Sequence, residues 1–82
     1  MIDDVTNFLR ASVADQLGIS PEEVDPNTDF EEMGMTSLSA VLVSGVIEDE
    51  YDIEIEPSIL FENRTLATVS AALKGLLEDA KK

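Results

Sequence analysis

GMTSLSAVLVSGVIEDEY, residues 34–51, decides how this chain folds. Ala40, Val43, Ile47 and Tyr51 recur at helical spacing and mark one buried stripe of a helix. That helix is predicted to start at Thr36 or Ser37 and to run to about Tyr51, with Gly34 letting the chain turn before it. Leu38, Val41, Leu42 and Val46 form a second apolar row. A helix on a small domain needs only one buried stripe. The second row therefore either packs against a neighbouring loop or serves as a face for a partner.

Outward from this helix, Ile2, Val5, Leu9 and Val13 repeat at helical spacing, with Phe8 and Leu17 beside them and Gly18 as a stop. They predict a first helix over about residues 3–17. The connection GISPEEVDPNTDFEEMGM, residues 18–35, is long, but it carries local order. Ser20-Pro21-Glu22-Glu23 has the spacing of a capping box with proline at the first helical position. Thr28 and Glu31 repeat that spacing, and Ile19, Val24, Phe30 and Met33 are expected to face inward. After residue 51, DIEIEPS reads as a short extended link and Pro57–Phe61 as one or two helical turns. Thr65 caps a last helix at about residues 66–78, with Leu66, Val69, Leu73 and Leu76 or Leu77 inside. The only strand-like run is DIEIE, so a βαβ arrangement fails. The fold class is all-α: a four-helix bundle of three main helices, one short helix and a long structured loop between helices 1 and 2. Residues 1–82 make one domain, with no internal repeat or linker.

Composition restricts the chemistry. The chain has neither cysteine nor histidine, so a Ser–His or Cys–His nucleophile pair cannot be built within it. Eighteen acidic and five basic residues give a formal net charge of −13. Such a surface repels nucleic acid and anionic lipid and attracts basic protein patches. No apolar run is long enough to span a membrane, and the acidic start MIDDVTNFLR does not resemble a secretory signal. These features predict a cytoplasmic protein. The 44% of apolar residues, spread periodically, argue against disorder.

Three stretches invite functional readings. Asp25, Asn27 and Asp29 begin like a calcium loop, but Phe30 stands where the turn needs glycine and Thr36 where the bidentate glutamate belongs. No specific metal site is expected, only nonspecific divalent binding to the acidic surface. Six carboxylates lie between Glu48 and Glu56 with no basic residue among them. Glu48, Asp49 and Glu50 sit near a helix C-terminus, where the dipole disfavours negative charge. A purely structural account expects replacement of Glu48 and Asp49 by lysine to be neutral or slightly stabilising. Docking onto a basic partner would explain their presence. Ser37 caps a helix, receives phosphate, or accepts a larger group installed by another enzyme. A phosphorylated serine there would benefit from free backbone N–H groups and the positive dipole end.

Gly34-Met35-Thr36-Ser37-Leu38 resembles the G-x-D-S-L motif of the acyl carrier protein family, and LFENRTLATVSAAL, residues 60–73, resembles the LFExPTLAxLAxxL pattern of polyketide and nonribosomal-peptide carriers. The first helix, the loop with DPNTDFEEMGM and the acidic IEDEYDIEI extend the likeness over nearly the whole chain. The resemblance implies a non-enzymatic carrier. A phosphopantetheinyl transferase would attach 4′-phosphopantetheine from coenzyme A to Ser37, with Mg²⁺ serving that enzyme. Acyl groups would ride on the arm as thioesters. It also implies a monomer whose Thr36, Leu38, Val41, Leu42, Glu48 and Asp49 meet the basic patches of acyl-loading and acyl-processing enzymes.

Thr36 replaces the family's usual aspartate, Leu42 a frequent glutamate, and Arg64 a common proline. These departures point to a specialised polyketide-like carrier at least as much as to the main fatty-acid pathway. The span from the start methionine to Lys81-Lys82 is read as a stand-alone chain. The alternative reading is a noncatalytic acidic helical adaptor that recruits a basic protein through helix 2.

Overall fold

The computed structural model describes residues 4–80; Ile2, Asp3, Lys81 and Lys82, invoked above, lie outside the described residues. Among the described residues four α-helices follow in order: α1 Asp4–Leu17, α2 Ser37–Tyr51, α3 Ile59–Glu62 and α4 Leu66–Ala80. A single 3-10 turn, Pro21–Glu23, interrupts the long loop after α1. No strand occurs among the described residues. The all-α bundle of three main helices and one short helix is the architecture the periodicity predicts.

The helix ends follow from local chemistry. Gly18 adopts φ 70°, and the Ile19 N–H reaches back to the Ala14 carbonyl at 3.0 Å, closing α1. Thr36 is the N-cap of α2 and Ser37 its first residue. α2 ends on Asp52, a non-glycine residue in the left-handed region at φ 54°. At the start of α4, the Thr65 hydroxyl accepts the Thr68 N–H at 3.2 Å while the Thr65 N–H donates to the Thr68 hydroxyl at 3.1 Å. This reciprocal pair satisfies two backbone donors at the helix start.

The core joins all four α-helices. Leu9, Val13 and Ala14 of α1 meet Ala40, Val43 and Ile47 of α2, Ile59 and Leu60 of α3, and Leu66, Val69 and Leu73 of α4. α1 packs against both α2 and α4, and α3 packs on α4. The Phe8 and Tyr51 rings meet edge to face at 5.5 Å between centroids, fastening the start of α1 to the end of α2. On α4, Leu77 packs against the core and Leu76 is exposed. The link after α2 is extended without pairing as a strand: Ile53 and Ile55 pack inward while Glu54 and Glu56 face solvent.

The long loop is folded onto the bundle through Val24, Phe30 and Met35, all buried; Ile19 and Met33 are only partly covered. The Glu23 carboxylate accepts the Ser20 N–H at 3.0 Å, as the first capping-box spacing predicts. The second spacing does not form a helix. The Glu31 N–H goes to the Asp29 carboxylate at 2.8 Å, and the Asn27 N–H to the Asp25 carboxylate at the same distance. Aspartates two residues upstream capture these donors locally, and the chain turns instead. The same bonds engage Asp25 and Asp29, the residues that begin like a calcium loop.

Candidate functional site

Three hydroxyls cluster where the loop becomes α2, and the structure gives them different roles. The Thr36 Oγ1 accepts the Ser39 N–H at 3.2 Å and lies 3.2 Å from the Ser39 hydroxyl. The Thr36 carbonyl accepts the Ala40 N–H at 2.9 Å. Thr36 and Ser39 are thus bound to each other and to the start of the helix. Ser37 is exposed, and its hydroxyl makes no side-chain hydrogen bond among the described residues. At the first position of α2, its own N–H and that of Leu38 are not claimed by the helix, which leaves donors for an anionic group. Gly34, at φ 100°, supplies the turn that brings the chain out of the loop to this point.

Beside Ser37 the second apolar row of α2 is open to solvent. Leu38 is 68% exposed, Val41 49%, Leu42 46% and Val46 37%. The loop does not cover it, because its inward side chains are spent on the core on the other side of the helix. Isolated apolar residues on a surface are ordinary, but four on one helix face form a patch.

The acidic end of α2 divides in two. Asp49 and Glu50 are exposed, with no basic residue in the last turn to offset the dipole. Glu48 is half-buried and its Oε2 accepts the Ile55 N–H at 2.9 Å. This is a structural duty that a count of carboxylates does not suggest. Burial and, secondarily, the charges of Glu50 and Asp4 push the Tyr51 phenol above its ordinary value of 10.0. Among the described residues, no three Asp or Glu side chains are grouped to hold a metal ion.

Two further features were not read from the sequence. Met35 is buried and anchors the loop just before Ser37. Arg64, noted only as a replacement for proline, binds the loop across the molecule: its Nε lies 2.9 Å from Asp29 Oδ2 and its Nη2 pairs with Glu31. Neither contact has a local signature, since residues 31 and 64 are brought together only by the fold.

Ser37 is thus an exposed hydroxyl at the start of α2 that no described side chain engages. The sequence model of the family described as "Phosphopantetheine attachment site" matches residues 7–73, and the chain belongs to that family of carrier domains, which bind covalently attached 4′-phosphopantetheine. Over 65 residues it is 34% identical to the conidial yellow pigment biosynthesis polyketide synthase of Emericella nidulans and 38% identical to the non-reducing polyketide synthase albA of Aspergillus brasiliensis. Each match covers 79% of this chain, and the chain spans only 3% of the length of either synthase.

Among solved structures, it is similar to a free-standing peptidyl carrier protein from a secondary metabolic pathway of Acinetobacter baumannii, with TM-score 0.85 and 32% identity over 88% of this chain and 90% of that one. It is also similar to BlmI, a type-II acyl carrier protein of Streptomyces verticillus involved in bleomycin biosynthesis, with TM-score 0.82 and 27% identity over 90% of this chain and 87% of that one. Domains of this family are generally noncatalytic and work with synthetases and a phosphopantetheinyl transferase.

Proposed function

We propose that this chain carries acyl intermediates as thioesters on a 4′-phosphopantetheine arm esterified to Ser37. The observation that carries the reading is the contrast among three neighbouring hydroxyls: Thr36 and Ser39 are engaged in the cap, and Ser37 is exposed and unbonded. The phosphodiester would lie against the backbone N–H groups of Ser37 and Leu38 at the start of α2, where the dipole favours negative charge. When bound, the arm supplies a terminal thiol that this cysteine-free chain lacks.

Attachment needs a transferase from outside. As the Ser37 Oγ–phosphorus bond forms, the phosphoanhydride bond of coenzyme A breaks and the nucleotide leaves. The serine proton passes to a base of the transferase, since no carboxylate among the described residues bonds the Ser37 hydroxyl and the chain has no histidine. Leu38, Val41 and Leu42 with Thr36 and Asp49 form the face on which the transferase and the acyl-loading and acyl-processing enzymes dock, with Glu48 at its edge. Apolar contact supplies the affinity and the acidic end steers basic partners toward it. The likeness to polyketide synthase segments and to carriers of secondary metabolism supports a polyketide-type or related specialised pathway. A monomer acting in the cytoplasm agrees with the acidic surface. No helix among the described residues is long and apolar enough to cross a membrane.

The test is intact mass after incubation with coenzyme A and a broad-specificity transferase. The wild-type chain should gain the mass of one arm. Ser37→Ala should keep its helical circular dichroism and gain nothing. Modification of that variant would move the site, and a wild-type chain that gains no mass would favour the acidic adaptor.

A further inference from the structure

Three consecutive loop residues, Asp29, Phe30 and Glu31, are all bound to one residue far along the chain, Arg64. The guanidinium Nε meets Asp29 Oδ2 at 2.9 Å and Nη2 meets Glu31 Oε2, while the Arg64 carbonyl accepts the Phe30 N–H at 2.8 Å. The two carboxylates are already set relative to each other, because Asp29 Oδ1 accepts the Glu31 N–H at 2.8 Å. A planar fork of donors matches two acceptors held this way, which a lysine ammonium cannot do equally well.

The cradle leads directly to the serine. The Phe30 carbonyl accepts the N–H groups of both Met33 and Met35, each at 3.0 Å, and the Phe30 and Met35 side chains are buried. From Met35 the chain passes straight to the Thr36 cap and Ser37. A long loop is costly to hold in one shape. Besides its core side chains, this one is tied to the α3–α4 side by Arg64 and by the Ala67 N–H to the Pro26 carbonyl at 3.0 Å.

We propose that Arg64 is a positioning residue for the transfer reaction: by gripping Asp29 and Glu31 it holds the segment 29–35 in the shape that presents Ser37 to the transferase. This rests on the reading of Ser37 as the attachment site. The Arg64 side chain is half exposed, so its grip biases the loop without being needed to fold the bundle.

The experiment measures phosphopantetheine transfer from coenzyme A against carrier concentration. Arg64→Gln should raise the KM for the carrier by about two- to five-fold, the span set by an exposed charge pair, with kcat little changed. Arg64→Lys should fall between that variant and wild type. The double variant Asp29→Asn, Glu31→Gln should raise KM in the same direction, although it changes the net charge in the opposite sense from Arg64→Gln. A pure surface-charge effect would move the two variants oppositely, and that result would overturn the proposal. So would a wild-type KM in both, with the wild-type chain modified normally. If the wild-type chain itself gains no arm, the carrier reading fails and the proposal with it. Should Arg64→Gln lose its helical circular dichroism, the double variant decides alone.

Discussion

Glu48 Oε2 accepts the backbone N–H of Ile55 at 2.9 Å across the end of α2. The bond pins the extended link 52–56 against the helix and lets Ile53 and Ile55 pack inward. It also explains a carboxylate in a place the helix dipole disfavours: its cost there is offset by a charge-assisted bond to a partly buried donor. Asp49, one residue on, is exposed and has no such bond among those described.

The two neighbours should therefore respond oppositely to lysine. Glu48→Lys leaves the Ile55 N–H without its acceptor and should lower stability by about 1 kcal/mol or more. Asp49→Lys should leave the melting temperature equal or higher, because it places a cation at the helix C-terminus. Phosphopantetheine transfer to the Asp49 variant should slow at low salt, and the defect should shrink as salt screens the wild-type advantage. Equal thermal shifts for both variants would show that the Ile55 bond contributes nothing. The Ile55 bond thus restricts the expectation of a neutral or stabilising replacement to Asp49.

The open row of α2 separates docking from folding. Val41→Thr and Leu42→Gln alter exposed side chains and should each change stability by no more than about 0.5 kcal/mol. Their rates of modification by a transferase should fall, most of all in the double variant. A clear drop in melting temperature with unchanged modification would mean that this row serves the fold.

Tyr51 offers a direct reading of the acidic helix end, because it is the chain's single tyrosine. Its folded-state phenol is raised above 10.0 by burial first and by Glu50 and Asp4 next. The folded state thus holds this proton more tightly than the unfolded chain. The resulting stabilisation is fully present below the unfolded value and is lost as pH rises through the folded one. Absorbance titration of the native chain should show phenolate forming above 10.0. In denaturant the midpoint should return to the ordinary value, and thermal stability should fall as pH climbs through the native transition. Identical midpoints in both states would mean that the ring is not shielded.

Sequence alone determined the helices, because their apolar spacing and end residues are local. Ala40, Val43 and Ile47 mark α2, Gly18 stops α1, and Thr65 starts α4, all within a turn or two of the features they specify. It also placed Ser37 at a helix start and excluded a Ser–His pair, because the chain has no histidine. The tertiary structure decided the rest. Two apolar rows on α2 are equally helical in spacing, and only the packing of α1 against one of them left Leu38, Val41, Leu42 and Val46 open. Thr28 and Glu31 have a capping spacing, but aspartate side chains nearby competed better for the backbone. The bonds Glu48 makes to Ile55, and Arg64 to Asp29 and Glu31, join residues with no shared periodicity. The first depends on how the chain leaves the end of α2 and the second on the core bringing residues 29–31 and 64 together, so no local pattern records them.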